Sequence, residues 1–175
     1  MTVCSDVQGE PLAGSAKQGR VYVLFEWPGG WSRDVLDGKT FSKELTSALK
    51  RKLKEAGKGA GLQLIRRPGR AGRDVGQLHR CYLVWAEQEI MELVLLEDPE
   101  EILTLDLSGP GKNGAEVIDK PVLLVCTHGK RDLCCAVKGR PLAAELSEHF
   151  GEGLVWEASH MKGHRFAAVS LLMPW

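Results

Sequence analysis

Apolar positions along the chain follow two different periods, and the changes of period mark its elements. Arg20–Glu26 reads RVYVLFE, with Val21, Val23 and Phe25 on one face and Tyr22 and Leu24 on the other. Both faces are largely apolar, which predicts an internal strand of a sheet. Pro28-Gly29-Gly30 ends it. From Ser42 to Ala56 the period lengthens. Leu45, Leu49 and Leu53 fall on one face, with lysines and Arg51 opposite, which predicts an amphipathic helix stopped by Gly57 and Gly59. Leu62–Arg66 is a second strand, and Arg67–Gly76 (RPGRAGRDVG) reads as a basic, solvated loop. Cys81–Ala86 and Ile90–Leu96 predict a hairpin through Glu87–Glu89. Asp98-Pro99-Glu100-Glu101 opens a short helix, with proline early and acids at the positive end of the dipole.

Ser108–Gly114 (SGPGKNG) reads as a linker, after which the order begins again. Pro121–Val125 is a buried strand ending at Cys126, followed by a polar loop and a helix over Pro141–Phe150 that places Leu142 and Leu146 on one face. Leu154–Glu157 is a strand, and a His/Gly loop leads to a last strand over Phe166–Met173. The first half thus reads β-α-β-β-β-α and the second β-α-β-loop-β. A β-α-β unit followed by a hairpin and a helix is the thioredoxin-like order. The expected fold class is therefore α/β with a mixed α+β sheet, built as two tandem thioredoxin-like halves. The second is incomplete, lacking its last strand and helix. The expected division is 1–107 for the first half, 108–120 for the linker and 121–175 for the second half. Trp31-Ser32-Arg33-Asp34 and Gly129-Lys130-Arg131-Asp132 each follow the first strand of their half, a slight trace of repetition.

Composition narrows the function classes. Apolar residues make up 43% of the 175, enough for a packed core. The 23 basic residues balance 23 acidic ones, which gives no reason to expect nucleic acid or an anionic membrane as partner. No apolar run approaches the roughly 20 residues of a spanning helix, and the N-terminus lacks a basic segment followed by an apolar one. The expected location is cytoplasmic. The five cysteines are Cys4, Cys81, Cys126, Cys134 and Cys135. An odd number with no secretion signal argues against a disulfide framework, and the clustering of three points to metal or redox chemistry.

That chemistry sits in CTHGKRDLCC (Cys126–Cys135) and SHMKGHRF (Ser159–Phe166), each just past a predicted strand. Sites in open α/β sheets form at that edge. Cys126 and Cys135 make a C-x8-C pair, and His160 and His164 an H-x3-H pair. Together they form a set of two thiolates and two imidazoles. The cysteine spacing is wider than a zinc knuckle, and the two cysteines share one loop, unlike the Rieske arrangement. Spacing alone leaves zinc and [2Fe-2S] both open. A metal-free thioredoxin-like thiol oxidoreductase using Cys126 with Cys134 or Cys135 is a third reading, although the usual C-x-x-C is missing. Cys81 is expected in the core, His128 as a hydrogen-bonding loop residue, and Cys134 as a packed thiol. His79 and His149 are expected to be exposed, and Trp27, Trp31, Trp85 and Trp156 to belong to the core.

The sequence resembles the sucrase/ferredoxin-like family of thioredoxin-like ferredoxins. The resemblance is carried by Cys4-Ser5, Gly9-Glu10-Pro11-Leu12-Ala13-Gly14, Trp31-Ser32-Arg33-Asp34, Ile65–Arg70, VCTHGKRDLCCAVKGRPLA at 125–143 and VWEASHMKGHRFA at 155–167. The family's pattern is C-x-H-x-x-R-D-x-x-C with H-x-x-G-H-[RK]-[FY]-A. The resemblance implies an electron-transfer protein with one [2Fe-2S] cluster on Cys126, Cys135, His160 and His164. Cys134 is a secondary candidate ligand, His128 a loop neighbour, and Arg165 a charge that offsets the cluster or docks a partner. No carboxylate pair supports the sucrase activity in the family's name. Histidine in place of two thiolates makes the site less anionic and raises its potential, with reduction coupled to histidine protonation. Arg131 and Asp132 are expected to pair inside the cysteine loop. The implied partner is an unidentified redox protein. Relatives usually continue beyond Trp175, so a homodimer covering the exposed sheet edge is a further expectation.

Overall fold

The structure is a computed structural model that describes residues 4–6, 9, 11, 18–74, 76–151 and 153–175. Glu10 and Leu12-Ala13-Gly14 of the N-terminal stretch lie outside the described residues, as does the side chain of Cys4. In chain order the main elements are β1 (Val21–Glu26), α1 (Lys43–Glu55), β2 (Ala60–Arg66), β3 (His79–Trp85) and β4 (Ile90–Leu96). Then come β5 (Glu116–Val117), β6 (Val122–Cys126), α2 (Leu133–Phe150), β7 (Val155–Ala158) and β8 (Ser170–Met173).

β1 is internal, as its two apolar faces require. It runs parallel to β2 and antiparallel to β3. α1 forms where the leucine period predicts. The Ser42 hydroxyl caps it by accepting from the Leu45 N–H at 3.1 Å, Glu44 sits in the first turn, and Lys52 and Lys54 sit in the last. The helix buries Leu45 and Leu49 against Val23, Phe25 and Leu64. Burying each such side chain contributes roughly 1.5–3 kcal/mol. Residues 99–104 form a 3-10 segment capped by Asp98, in place of a full helix.

All eight strands join one mixed sheet, in the order β5-β4-β3-β1-β2-β7-β6-β8. β6 is parallel to β7 and antiparallel to β8, which repeats the relation of β1 to β2 and β3. The two β-α-β units meet where β2 and β7 pair antiparallel, through Ile65↔Ala158 and Arg66↔Glu157. That register puts Leu64 and Val155 on the same face, so α1 and α2 cover one side of the sheet. The other side carries a second apolar cluster with Leu24, Ile65, Tyr82, Leu124 and Trp156, and no helix among the described residues packs there. Its burial comes from curvature. Tyr82 on β3 and Trp156 on β7 are three strand spacings apart, roughly 14 Å in a flat sheet. Their ring centroids are only 5.9 Å apart, because the sheet curls around that side.

Several sequence expectations change. α2 begins at Leu133, eight residues before Pro141, so Cys134 and Cys135 lie in a helix and not in a loop. Pro141 marks a helix start in sequence terms, but here it is an interior residue with its ring facing solvent. Residues 164–166 form a 3-10 turn, which delays the last strand to Ser170. His79 is half-buried, its ring tilted against those of Phe25 and Trp27 at centroid distances of 5.3 and 5.9 Å. Within the expected linker, residues 116–117 pair with β4. No helix among the described residues is long and apolar enough to cross a membrane.

Candidate metal centre

Cys126 is the last residue of β6 and is fully buried. The loop that follows, 127–132, is short. It turns directly into α2, whose N-terminus is capped by Asp132: Oδ1 accepts from the Cys134 N–H at 3.1 Å. Cys135 falls in the first helical turn. Gly139 lies one turn further along the same face, where an added Cβ would stand 2.0 Å from the Cys126 carbonyl oxygen. Only glycine lets the helix approach that closely, and the approach sets Cys135 against Cys126.

His160 completes the group from the segment after β7. Its Nδ1 lies 3.9 Å from Cys126 Sγ and 3.8 Å from Cys135 Sγ. The three donor atoms all lie within 4.8 Å of one another, and they form the one such cluster among the described residues. The ring of His164 stands 5.8 Å from that of His160, centroid to centroid. Its Nε2 is 3.4 Å from Asp132 Oδ2, which leaves Nδ1 as its available donor atom. Cys134 is buried in the same turn but is not in the cluster. The Arg165 guanidinium lies 5.0 Å over the Phe166 ring.

The electrostatics favour an anionic sulfur. The hydrogen bond with Cys135 holds the Cys126 thiol well below its usual pKa. Burial opposes this, and His160 and the backbone N–H groups of His128 and Met161 reinforce it. Cys135 is pushed up by that same hydrogen bond and by burial, so the pair retains one proton. Asp132 would be raised by burial, but hydrogen bonds from the Cys134 side chain and backbone outweigh it, helped by the nearby imidazoles. Its carboxyl stays below the ordinary range.

His128 braces the site and has no nitrogen left for a metal. Its Nε2 contacts the Ser32 carbonyl oxygen at 2.7 Å, which makes it the protonated nitrogen. Its Nδ1 therefore accepts from the His160 backbone N–H at 3.1 Å. Burial lowers its pKa, against the pull of the Ser32 hydrogen bond. Its ring packs edge-on to Trp31 at 5.6 Å, and the Arg66 guanidinium lies 4.3 Å from the centroid of the same Trp31 ring. Arg66 donates to the buried Glu157 at 2.8 Å, and Glu157 also accepts from the Thr127 hydroxyl at 3.1 Å. The first half of the chain thereby holds the loop that joins Cys126 to the helix of Cys135.

The structure brings Cys126, Cys135 and His160 together and sets His164 beside them against Asp132. The expected Arg131–Asp132 pair is replaced. Arg131 reaches Asp34 at 4.0 Å, and Asp132 serves His164 and the helix cap. Sequence reading gave Asp132 the wrong partner and missed Gly139. A cap signal before Leu133 is present in the sequence but is masked by Pro141. The 3-10 turn Cys4–Asp6 also reaches the site's helix, with Asp6 2.7 Å from Lys138.

Two thiols and an imidazole suit zinc or an iron–sulfur centre. No curated protein and no solved structure matches the chain. A family model, sucrase/ferredoxin-like, matches residues 12–174. That stretch contains every element of the sheet and every residue of the cluster, and the chain belongs to the sucrase/ferredoxin-like family.

Proposed function

We propose that the chain is an electron carrier that holds one [2Fe-2S] cluster through Cys126, Cys135, His160 and His164 and serves a redox partner protein. The observation that carries this reading is the convergence of both thiols on Nδ1 of His160, with a second imidazole adjacent. When bound, such a cluster takes up and returns a single electron. Two neutral imidazoles in place of two thiolates make the donor set less negative, which raises the potential. His164 is the residue that holds the accompanying proton, at Nε2 against Asp132 Oδ2. The burial of Cys126 and Cys135 excludes water from the sulfurs. We also read the two β-α-β units as tandem thioredoxin-like halves divided near residues 108–120. The repeated strand relations on either side of the β2–β7 seam support this.

The test is the visible absorption and the iron and sulfide content of protein purified without oxygen. A coloured protein with about two irons and two sulfides per chain is expected. Cys135→Ser should lose the colour, and His164→Ala should shift or lose it. Colour that survives both Cys126→Ser and Cys135→Ser overturns the ligand assignment. One observation favours a second reading, a structural zinc ion. Bonds of about 2.3 Å to sulfur and 2.0 Å to nitrogen give tetrahedral edges of about 3.5 Å, near the 3.8 and 3.9 Å found here. A colourless protein with one zinc per chain would establish that reading instead.

A further inference from the structure

A cavity of about 450 Å³ opens beside His160, between the starts of β1 and β2 and the segment that leads into β8. Small-molecule sites commonly span about 300–1,000 Å³. Tyr22, Met161 and Phe166 stand in its walls, and His160 forms part of its lining. Its floor includes Gly61, the second residue of β2.

That glycine serves no need of the strand. The β1–β2 register is regular through Tyr22↔Gly61, so there is no bulge. Gly61 is not among the residues of positive φ, and a Cβ built on it meets no atom of the described residues within 4 Å. A glycine inside a strand weakens the strand, and it often marks a close approach by a ligand or by another backbone. Among the described residues no other backbone approaches here. Gly61 is paired with Tyr22, so the missing side chain would stand on the same face as the tyrosine, where the cavity is.

The charge at the rim has one sign. Lys162 and Arg165 line the cavity, and no acidic residue does among the described residues. We infer that this cavity is a binding site for a flat aromatic molecule carrying an anionic group. The ring would lie over Gly61 between Tyr22 and Phe166, with the anion toward Lys162. The binding rests on the cavity alone. That the bound molecule touches the metal centre rests on the reading of His160 given above.

The experiment is a calorimetric titration of the full chain, as purified, with naphthalene-2-sulfonate and with the neutral naphthalene-2-sulfonamide. Saturable binding of the sulfonate is expected. Gly61→Val should weaken it about tenfold or more by filling the floor, while the urea midpoint holds or rises because valine suits a strand. Lys162→Glu should weaken the sulfonate and leave the sulfonamide nearly unchanged. The site is overturned if the wild-type chain gives no saturable heat, or if Gly61→Val binds as tightly as wild type. Equal weakening of both ligands by Lys162→Glu overturns the anionic part. Repeating the titration after chelator treatment separates the two readings. Sulfonate binding that persists in metal-free protein supports the cavity whatever the metal analysis gives.

Discussion

Cys81 and Cys126 are both fully buried, yet they are opposite in character. Cys81 sits within β3 among the apolar side chains that pack under α1, and burial alone pushes its thiol far up. Cys126 sits at the end of β6, where a second thiol, an imidazole and two backbone N–H groups converge on its sulfur and hold it down. The same contrast holds for the strand ends. β1 leads through the long loop 27–42 into α1, and its end is packed with the rings of Phe25, Trp27, Phe41 and His79. β6 leads through the short loop 127–132 into α2, and its end holds Cys126, Cys135 and His160. One topology therefore yields an aromatic plug or a ligand cluster, depending on how near the helix starts to the strand.

The largest effects should come from attacking each end by its own means. Gly139→Ala forces a Cβ to 2.0 Å from the Cys126 carbonyl oxygen, so α2 must move and carry Cys135 with it. Overpacking of this kind costs about 1–3 kcal/mol, and metal content should fall to background. Phe25→Ala at the other end removes a fully buried ring. It should cost about 3–5 kcal/mol in urea unfolding, with metal content per folded chain unchanged. If Gly139→Ala binds metal normally, close approach of the helix is not what assembles the site.

The fold and the site were legible to different depths. The strand β1, the helix α1 and the β3–β4 hairpin followed from apolar period and caps, because each is decided within a few neighbouring residues. The donors were legible as residue types at suggestive positions. The start of α2 was not, since Gly139 and Pro141 read locally as breakers, and only the approach to β6 explains the glycine. The curl that buries Trp156 against Tyr82 is likewise a property of the whole sheet. The seam between β2 and β7 joins residues some ninety positions apart, as in the Arg66–Glu157 pair, and no local pattern announces it.

The two helix caps provide a finer comparison. Asp132→Asn keeps an oxygen for the Cys134 N–H and removes the charge beside His164. Stability should change little, whereas metal affinity should fall about 10–100-fold, the usual loss when a carboxylate behind a ligating histidine is removed. Competition with a chromogenic chelator measures it. Ser42→Ala at the start of α1 should do the reverse. It should cost about 1 kcal/mol of stability and leave affinity untouched. An Asp132→Asn chain that binds metal as wild type does would reduce Asp132 to a cap like Ser42.

The smallest effect lies in the contact through which the first half steadies the second. Burial keeps His128 from protonating as readily as a free imidazole. As pH falls below the ordinary imidazole value of about 6.5, the unfolded chain takes up a proton that the folded chain resists. The contribution of His128 to stability is therefore complete above that value. It is lost progressively down to the lowered folded pKa. His128→Asn retains an oxygen for the His160 N–H and removes the titration. In metal-free protein, wild type should lose more urea stability than His128→Asn between pH 7.5 and 5.5. Equal losses would mean that the ring is solvated in solution. The bridge from Ser32 through His128 to His160 would then not hold the site.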